Sequence, residues 1–320
     1  MSTPERPLFI VGCDRSGTTL LRLMITNHPQ FHILHETGFL HTLQDRSDVY
    51  GSFTAPRQRW YFIRDLQTHR ATSETYSFSA FGLTDQEAEA ALADAAPLDF
   101  AGATEALFEA SASKRNASRW GDKTPRYVLH VPWLAGAYPD AQFLHIIRDG
   151  RDVAASIRRA GWEKSLRSAA QTWRTRAGEG HEAGSTLSSD RYKEVRYESL
   201  VSAPEETLRS LCDWLDLSYS PEMFNFHEHS ESCLPDAHED LYEKTHQPID
   251  SSRAQAWKDS LHSREVADVE AEAGDLLREF GYELTGARVP LWLRGLRGLH
   301  RSTLSYTESL VETLRRLGIL

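Results

Sequence analysis

The sequence predicts an α/β domain, built as a three-layer sandwich with a central, mainly parallel sheet flanked by helices. The apolar run Leu8 to Gly12, between Pro7 and a glycine-bearing turn, is typical of a buried strand. Residues 18–27 then carry apolar side chains at helical spacing and stop before a proline. Further along the chain, a strand over residues 142–147 leads in the same way into a helix over residues 149–159. Strands that alternate with helices favour a parallel sheet covered on both faces.

The remaining elements follow in chain order. Residues 31–36 (FHILHE) form a second predicted strand near the N-terminus. Residues 56–116 are predicted to be a polar helical insertion, with surface helices over 85–96 and 100–113. That insertion carries no obvious chemistry, and contacts to a substrate are assigned to it only by elimination. The other predicted elements are a helix at 127–138, a strand at 192–197, a helix at 205–215 and a helical segment at 250–280.

Charge and composition exclude several classes of protein. The net charge of −10 argues against general nucleic-acid binding, because phosphate contacts need a cationic face. The N-terminal residues MSTPERPLFIVGC show no signal segment, and no apolar run approaches the length that spans a bilayer. Three widely spaced cysteines without a CxxC pair indicate a reducing compartment. We therefore expect a cytoplasmic protein.

A change of composition after Gly281 divides the chain into a main domain, residues 1–285, and a tail, residues 286–320. The tail is rich in arginine and predicts an amphipathic helix. Its apolar face consists of Leu310, Val311, Leu314 and Leu317. Two interpretations stay open: the helix packs on the core or on a second copy in a homodimer, or it lies on a membrane surface. The second would make the protein peripheral to the membrane and favour a lipid-linked substrate.

The segment between the first strand and the first helix has the frame G-x4-G-T-T. It matches the phosphate-binding loop G-x4-G-K-[ST] except for the lysine. In such a loop, backbone N–H groups converge on an anion at the N-terminus of the helix. The predicted anion ligands are Arg15, Ser16, Gly17, Thr18 and Thr19. The alternative is a tight strand–helix turn that binds nothing.

The missing lysine bears on the chemistry. A nucleotide triphosphatase uses that lysine with magnesium to offset the charge of its phosphates. A sulfuryl group carries less negative charge than a phosphoryl group, so a loop that binds a sulfuryl group without a metal is chemically reasonable. His227 and His229, which have two glutamates nearby, match no defined metal-site spacing. The sequence therefore predicts no metal site.

Two runs of the sequence resemble motifs of the sulfotransferases that use 3′-phosphoadenosine 5′-phosphosulfate (PAPS). VGCDRSGTTLLRLMITNHP resembles their 5′-phosphosulfate loop, and FLHIIRDGRDVAASI is similar to their 3′-phosphate motif. Between them, GDKTPRYVL resembles bacterial members of the family. The motifs stand in the family's order, within a resemblance that covers residues 8–282. The resemblance implies a P-loop-type fold, PAPS as co-substrate and adenosine 3′,5′-bisphosphate (PAP) as product.

The same resemblance implies roles for individual residues. Arg148 and Ser156 would hold the 3′-phosphate, which agrees with the paired bonds that arginine makes to phosphate oxygens. Tyr197 matches a tyrosine that lies near the nucleotide. Arg15 and Lys123 would be the cations that offset charge on the leaving phosphate.

Structural alternatives accompany these roles. Arg148 and the charges after it also suit an ordinary helix start, and Arg151 suits an ion pair better than a ligand contact. Lys123 also suits a surface turn before Pro125. Gln247 stands where many relatives place a lysine that closes over the co-substrate, and what replaces that lysine stays open.

Two neighbouring residues compete for the role of general base. HPQFHILHET resembles the segment of tyrosylprotein sulfotransferases in which a glutamate precedes threonine, and this implies Glu36. His35 is the rival, because the cytosolic hormone and phenol branch uses histidine. If residues 31–36 are all strand, the two side chains point to opposite faces and only one can face the sulfur. We expect Glu36 to be the base, because a carboxylate at a strand end can accept the proton if partial burial raises its pKa.

The functional expectation is a PAPS-dependent transfer of a sulfuryl group to an acceptor hydroxyl on a sugar, glycolipid or small metabolite. A peptide tyrosine sulfotransferase is the alternative within the class. Outside it stand a P-loop kinase, which would need the missing lysine, and a nucleotide-binding protein without catalysis, which would need no base.

Overall fold

The chain is described from a computed structural model, which covers residues 6–68, 78–226 and 249–287. Its strands are β1 (Leu8–Gly12), β2 (Phe31–His35), β3 (Arg119–Lys123), β4 (Gln142–Ile147) and β5 (Tyr192–Arg196). Within the described residues they form one sheet in the spatial order β2-β3-β1-β4-β5, and each neighbouring pair is parallel. The predicted α/β fold with a central parallel sheet is confirmed.

Helices follow or separate the strands. They are α1 (Thr18–Thr26), α2 (Leu40–Leu43), α3 (Ser47–Tyr50), α4 (Pro56–Thr68), α5 (Asp85–Ala95), α6 (Phe100–Lys114), α7 (Val131–Ala137), α8 (Gly150–Arg159), α9 (Leu166–Ser185), α10 (Tyr197–Ser202), α11 (Pro204–Trp214), α12 (Trp257–Ser260) and α13 (Ser263–Glu279). Short 3-10 turns lie at Gln44–Arg46, Phe78–Phe81, Pro125–His130, Pro221–Met223 and Ser251–Arg253.

Alternate side chains of β1 enter different layers of the sandwich. Leu8 and Ile10 pack into one cluster with apolar residues of α1 and α11. Phe9 and Val11 pack into another cluster, to which α6 contributes. Successive side chains of a strand point to opposite faces, so a strand covered on both faces must be apolar throughout. This is the physical reason for the uninterrupted run LFIVG.

Strand β3 is an element that the sequence analysis did not predict. Its residues, RWGDK, include two cations and an acid, yet all five are buried. Buried charges need partners, and the Arg119 guanidinium donates to the carbonyl oxygen of Leu215 at 2.7 Å and to Oε1 of Gln142 at 2.8 Å. The partners come from distant segments, so no local pattern marks the strand.

The region 56–116 differs from the predicted set of polar surface helices. Phe100, Leu107 and Phe108 of α6 are buried. The ring of Phe108 stacks on Trp120 of β3, with centroids 4.4 Å apart. The region is therefore part of the core and supports the unpredicted strand.

Some predictions fall outside the described residues. They concern Gln247, the pair His227 and His229, and the tail helix within residues 288–320. The boundary between a main domain and a tail stays a prediction. In the three described stretches, no helix combines the length and apolarity needed to cross a membrane.

Candidate active site

The predicted site residues lie at one edge of the sheet. In parallel strands the carboxyl ends meet at the same edge, where ligands of α/β proteins bind. The loop at residues 13–17 follows β1, Glu36 follows β2, Lys123 ends β3, and Arg148 follows β4. Elements far apart in the chain thus bring their predicted functional residues to one edge.

The loop after β1 requires glycine at its last position. Gly17 is the N-cap of α1 and has a φ of 99°, in the left-handed region. A Cβ atom at this position would lie 2.5 Å from Cδ2 of Tyr197. Glycine also brings no side-chain acceptor to the first N–H groups of α1. Those groups have no intrahelical acceptor and suit an anion.

Arg148 lies at the end of β4 with its guanidinium over the ring of Tyr197, 4.1 Å from the ring centroid. Its Nη2 donates to the carbonyl oxygen of Arg253 at 2.7 Å, and its Nη1 to that of Arg15 at 3.3 Å. Within the described residues, Nε of Arg148 and Oγ of Ser16 are buried without a hydrogen-bond partner. Buried polar groups are costly when unpaired, so these atoms fit a bound anion.

Arg15 joins the loop to α8. It has a φ of 69°, and its Nε donates to Oγ of Ser156 at 3.1 Å. Its guanidinium also lies 5.6 Å from the ring centroid of Trp162, a half-exposed side chain. The two sequence motifs, more than a hundred positions apart, therefore meet through side chains that were both predicted as ligands.

A buried ion network holds the start of α8. Arg151 contacts Asp149 at 2.8 Å and Glu270 at 2.9 Å, and its guanidinium lies 3.9 Å from the ring centroid of Trp257. The Asp152 carboxylate accepts the backbone N–H of Trp257 at 2.7 Å. Burial raises the pKa of Asp152 to about 6. These charges fix the strand–helix corner that carries Arg148, and Arg151 is an ion-pair partner, as its position in the motif suggested.

Lys123 is fully buried, and its ammonium contacts three side chains. Nζ lies 2.5 Å from Oε1 of Glu36, 3.2 Å from Oγ1 of Thr19 and 3.2 Å from Nε2 of His35. Burial lowers the pKa of Lys123, and the adjacent Glu36 carboxylate opposes that shift. The alternative of a surface lysine in a turn is therefore wrong.

His35 and Glu36 would point to opposite faces only if residues 31–36 were all strand, and that condition is not met. Strand β2 ends at His35, and Glu36 has a φ of 40°, outside the β region. The backbone turns there, so both side chains reach the same ammonium, and Nε2 of His35 lies 4.0 Å from Oε1 of Glu36. The rule of alternation holds only while the chain stays extended.

Residues after β3 hold the chain that follows Glu36. The hydroxyl of Tyr127 accepts the backbone N–H of Leu40 at 3.0 Å and lies 3.3 Å from Oγ1 of Thr37. Asp122 is buried beneath this segment. Burial raises the pKa of Asp122 to about 6, although the hydroxyls of Thr124 and Thr37 oppose that shift.

The predicted residues form two groups. We call the first the anion cluster; it consists of Arg15, Ser16, Gly17, Arg148, Ser156 and Tyr197. We call the second the lysine cluster; it consists of Thr19, His35, Glu36 and Lys123. Helix α1 connects them, because Thr18 and Thr19 directly follow Gly17. The roles themselves stay predictions.

Sequence reasoning missed two contributors to the site. Trp162 and Arg253 belong to no motif, and their contacts with Arg15 and Arg148 arise only from folding. The single local signal is Gly161, just before Trp162. Gly161 has a φ of 73° and marks a turn after α8.

In the portions of the chain that the structure describes, no group of three His, Cys, Asp or Glu side chains is arranged to hold a metal ion.

Sequence comparison identifies related proteins. The sequence profile of the sulfotransferase family matches residues 7–221, more than half of the chain. Protein-tyrosine sulfotransferases of Drosophila melanogaster and Gallus gallus are 26% and 27% identical to it, over 87% and 70% of this chain. The alignments cover 52% and 55% of those proteins, so the chain spans little more than half their length. The nodulation protein NoeE of Sinorhizobium fredii is 25% identical over 88% of this chain and 68% of its own.

Two solved structures share the fold. One is the sulfotransferase domain of the olefin synthase of Synechococcus PCC 7002, with a TM-score of 0.61, 24% identity, and 89% of this chain and 97% of that domain covered. The other is the sulfotransferase domain from the curacin biosynthetic pathway, with a TM-score of 0.61 and 22% identity. That match covers 88% of this chain and 100% of that domain.

Proposed function

This chain belongs to the sulfotransferase family, and on that basis we propose that it moves the sulfuryl group of PAPS to an acceptor hydroxyl and releases PAP. One observation carries the proposal. The anion cluster joins the two motif segments, through the contact of Arg15 with Ser156, around buried donors that fit an anion.

The anion cluster would bind the nucleotide. Arg148 and Ser156 would contact the 3′-phosphate, while Ser16, Thr18 and the first N–H groups of α1 would contact the 5′-phosphosulfate. Tyr197 would act as the platform that keeps the guanidinium of Arg148 in place, since it already stacks on it at 4.1 Å.

The lysine cluster would support the transfer. The acceptor oxygen attacks sulfur in line with the bond to the 5′-phosphate, and its proton passes to the carboxylate of Glu36. The bond between sulfur and the bridging oxygen breaks, and its electron pair stays on the phosphate of PAP. Lys123 and Arg15 would offset that growing charge.

The acceptor class is part of the proposal. We expect a hydroxyl on a sugar, a glycolipid or a small metabolite. A tyrosine hydroxyl in a peptide is the second candidate, and it is favoured by the names of the Drosophila and chicken relatives. A screen with PAPS labelled in the sulfuryl group, offering phenols, sugars, glycolipids and tyrosine peptides in parallel, separates these classes by where the label goes.

The experiment for the reaction itself combines binding and turnover. PAP should raise the melting temperature of the wild-type protein, and Glu36→Gln should preserve that shift while lowering kcat by about 10²–10⁴-fold, the usual contribution of a general base. The absence of stabilisation at saturating PAP would remove the proposal. Full activity of Glu36→Gln would remove the assigned base and leave the reaction intact.

A further inference from the structure

The ammonium of Lys123 has all three of its N–H groups directed at protein acceptors. An ammonium carries three donors and no acceptor. Oε1 of Glu36, Oγ1 of Thr19 and Nε2 of His35 all lie within 3.2 Å of Nζ. The buried cation can therefore contact a substrate oxygen only by giving up one of these bonds. The position of the ammonium then depends on the partners to which it remains bonded.

The position of His35 beside Lys123 is built into the sheet. The two residues are paired Cα to Cα between β2 and β3, so their side chains emerge on the same face. Both are buried at the ends of their strands. An ammonium can donate to Nε2 only if that nitrogen is unprotonated, which puts the proton of the neutral ring on Nδ1.

Proton transfer changes the partners of Lys123. In the proposed reaction the acceptor proton moves to Glu36, which then loses the charge that attracts the ammonium at 2.5 Å. At the same moment the sulfur–oxygen bond breaks and negative charge grows on the phosphate. Thr19 and His35 are neutral acceptors that do not change in this step, so they can still hold Nζ.

We propose that His35 is a positioning residue for sulfuryl transfer, an inference that rests on the proposed function. Its Nε2 keeps the Lys123 ammonium beside Thr19 while Glu36 is protonated. Because Nζ donates to the Thr19 oxygen, the hydroxyl hydrogen of Thr19 points away from Lys123 and can be donated to an anion that binds at the start of α1. The charge of Lys123 thus acts on the leaving phosphate through Thr19.

The arrangement depends on a neutral imidazole. The charged side chains of Lys123 and Glu36 both lie close to the His35 ring. Asp122 on β3 and Arg22 on α1 act on the charge of Lys123 in opposite directions. A proton on Nε2 would replace an acceptor with a donor facing the ammonium. The amide oxygen of the variant His35→Gln accepts a hydrogen bond but does not titrate. This variant therefore separates the loss of the acceptor from the effect of protonating the ring.

The test compares His35→Ala and His35→Gln with the wild type, measuring kcat across pH and the Kd for PAP. We expect His35→Ala to lower kcat by about 10–100-fold with a Kd for PAP within about threefold, the loss typical of one hydrogen bond to a charged group. His35→Gln should retain kcat within about fivefold at neutral pH, because its oxygen replaces Nε2. Its kcat should also persist further into the acid range than that of the wild type.

His32→Gln is the matched control, since His32 lies on the same strand and its Nε2 is 3.1 Å from Oγ of Ser111. The kcat of His32→Gln should stay within about twofold of the wild-type value. An inactive His35→Gln with normal PAP binding would identify His35 as the base and overturn the inference, as would an unchanged kcat in His35→Ala. If the wild type binds PAP but transfers nothing to any acceptor, the proposed function itself fails, and this inference fails with it.

Discussion

The anion cluster and the lysine cluster differ in how the protein satisfies its buried cations. Arg148 lies over an aromatic ring, donates to two backbone carbonyls, and keeps an Nε without a partner among the described residues. Lys123 is enclosed by a carboxylate, a hydroxyl and an imidazole. A guanidinium has five donors and an ammonium has three. Arg148 therefore retains donors for a ligand, whereas Lys123 has committed its own to the protein.

This difference predicts that the anion cluster serves mainly to bind the nucleotide and the lysine cluster mainly to support the transfer step. Arg148 has spare donors, and the Asp152 carboxylate lies 3.9 Å from its Nη2, so a bound anion would give it a closer charged partner. A cation already paired with a carboxylate gains little from the ground state and responds when that carboxylate is neutralised. We therefore expect substitutions in the anion cluster to change affinity and substitutions in the lysine cluster to change turnover.

The largest effect should follow removal of the lysine charge. Lys123→Met keeps the length of the side chain, and we expect kcat to fall by about 10²–10³-fold, the range for loss of one electrostatic stabiliser. The Kd for PAP, measured by calorimetry, should stay within about threefold. Lys114→Met is the control, because Lys114 forms an exposed pair with Glu87. A Kd that rises as much as kcat falls would break the distinction between the clusters.

The next effect concerns affinity. Arg148→Gln removes the guanidinium from the anion cluster, and the Kd for PAP should rise by about 30–150-fold, equivalent to about 2–3 kcal/mol. The kcat at saturating PAPS should change by less than the Kd. Arg158→Gln, on the helix α8 that follows Arg148, should leave both constants unchanged, because Arg158 pairs with Glu265 near the surface. Unaltered PAP binding by Arg148→Gln would contradict the assignment of the 3′-phosphate site.

A smaller effect tests the platform beneath Arg148. Gly17→Ala places a methyl group 2.5 Å from the Tyr197 ring and strains a residue with a φ of 99°. The free energy of unfolding should fall by about 2 kcal/mol, because a clash and an unfavourable backbone conformation cost about 1 kcal/mol each. Gly82→Ala has a φ of 64° and open space around its Cβ, so it should cost only about 1 kcal/mol in denaturant titrations. Equal losses in both variants would mean that contact with Tyr197 does not matter.

The smallest effect lies beneath the lysine cluster and depends on pH. Burial raises the pKa of Asp122 from 3.8 to about 6, so between these values the folded protein binds more protons than the unfolded chain. Stability from this group is therefore present below about pH 4 and is lost as pH rises to about 6. Asp122→Asn should flatten that decline by about 1–2 kcal/mol in unfolding titrations at several pH values.

Asp152 provides the comparison for that titration, because its pKa is also raised to about 6 by burial. The Asp122→Asn variant should therefore keep a residual slope. A slope identical to that of the wild type would show that Asp122 does not titrate in this range.

Local patterns in the sequence determined the frame of this protein. The run LFIVG, the glycine-bearing loop and the helix after it lie within a few residues of one another, and their bounds differ from the predicted ones by at most a residue or two. The same holds for β4 and α8 with Arg148 between them. These elements are predictable because periodicity and turn residues act over short distances in the chain.

Only the tertiary structure decided the lysine cluster. Lys123 and Glu36 are 87 positions apart, and β3 contains charges that would predict a surface segment if their partners were unknown. The end of β2 at His35 turned two side chains toward one ammonium, which no alternation rule could anticipate. The physical reason is that burial and pairing of charges are properties of the assembled sheet. The chain specifies which groups are present, and the fold determines which of them share a site.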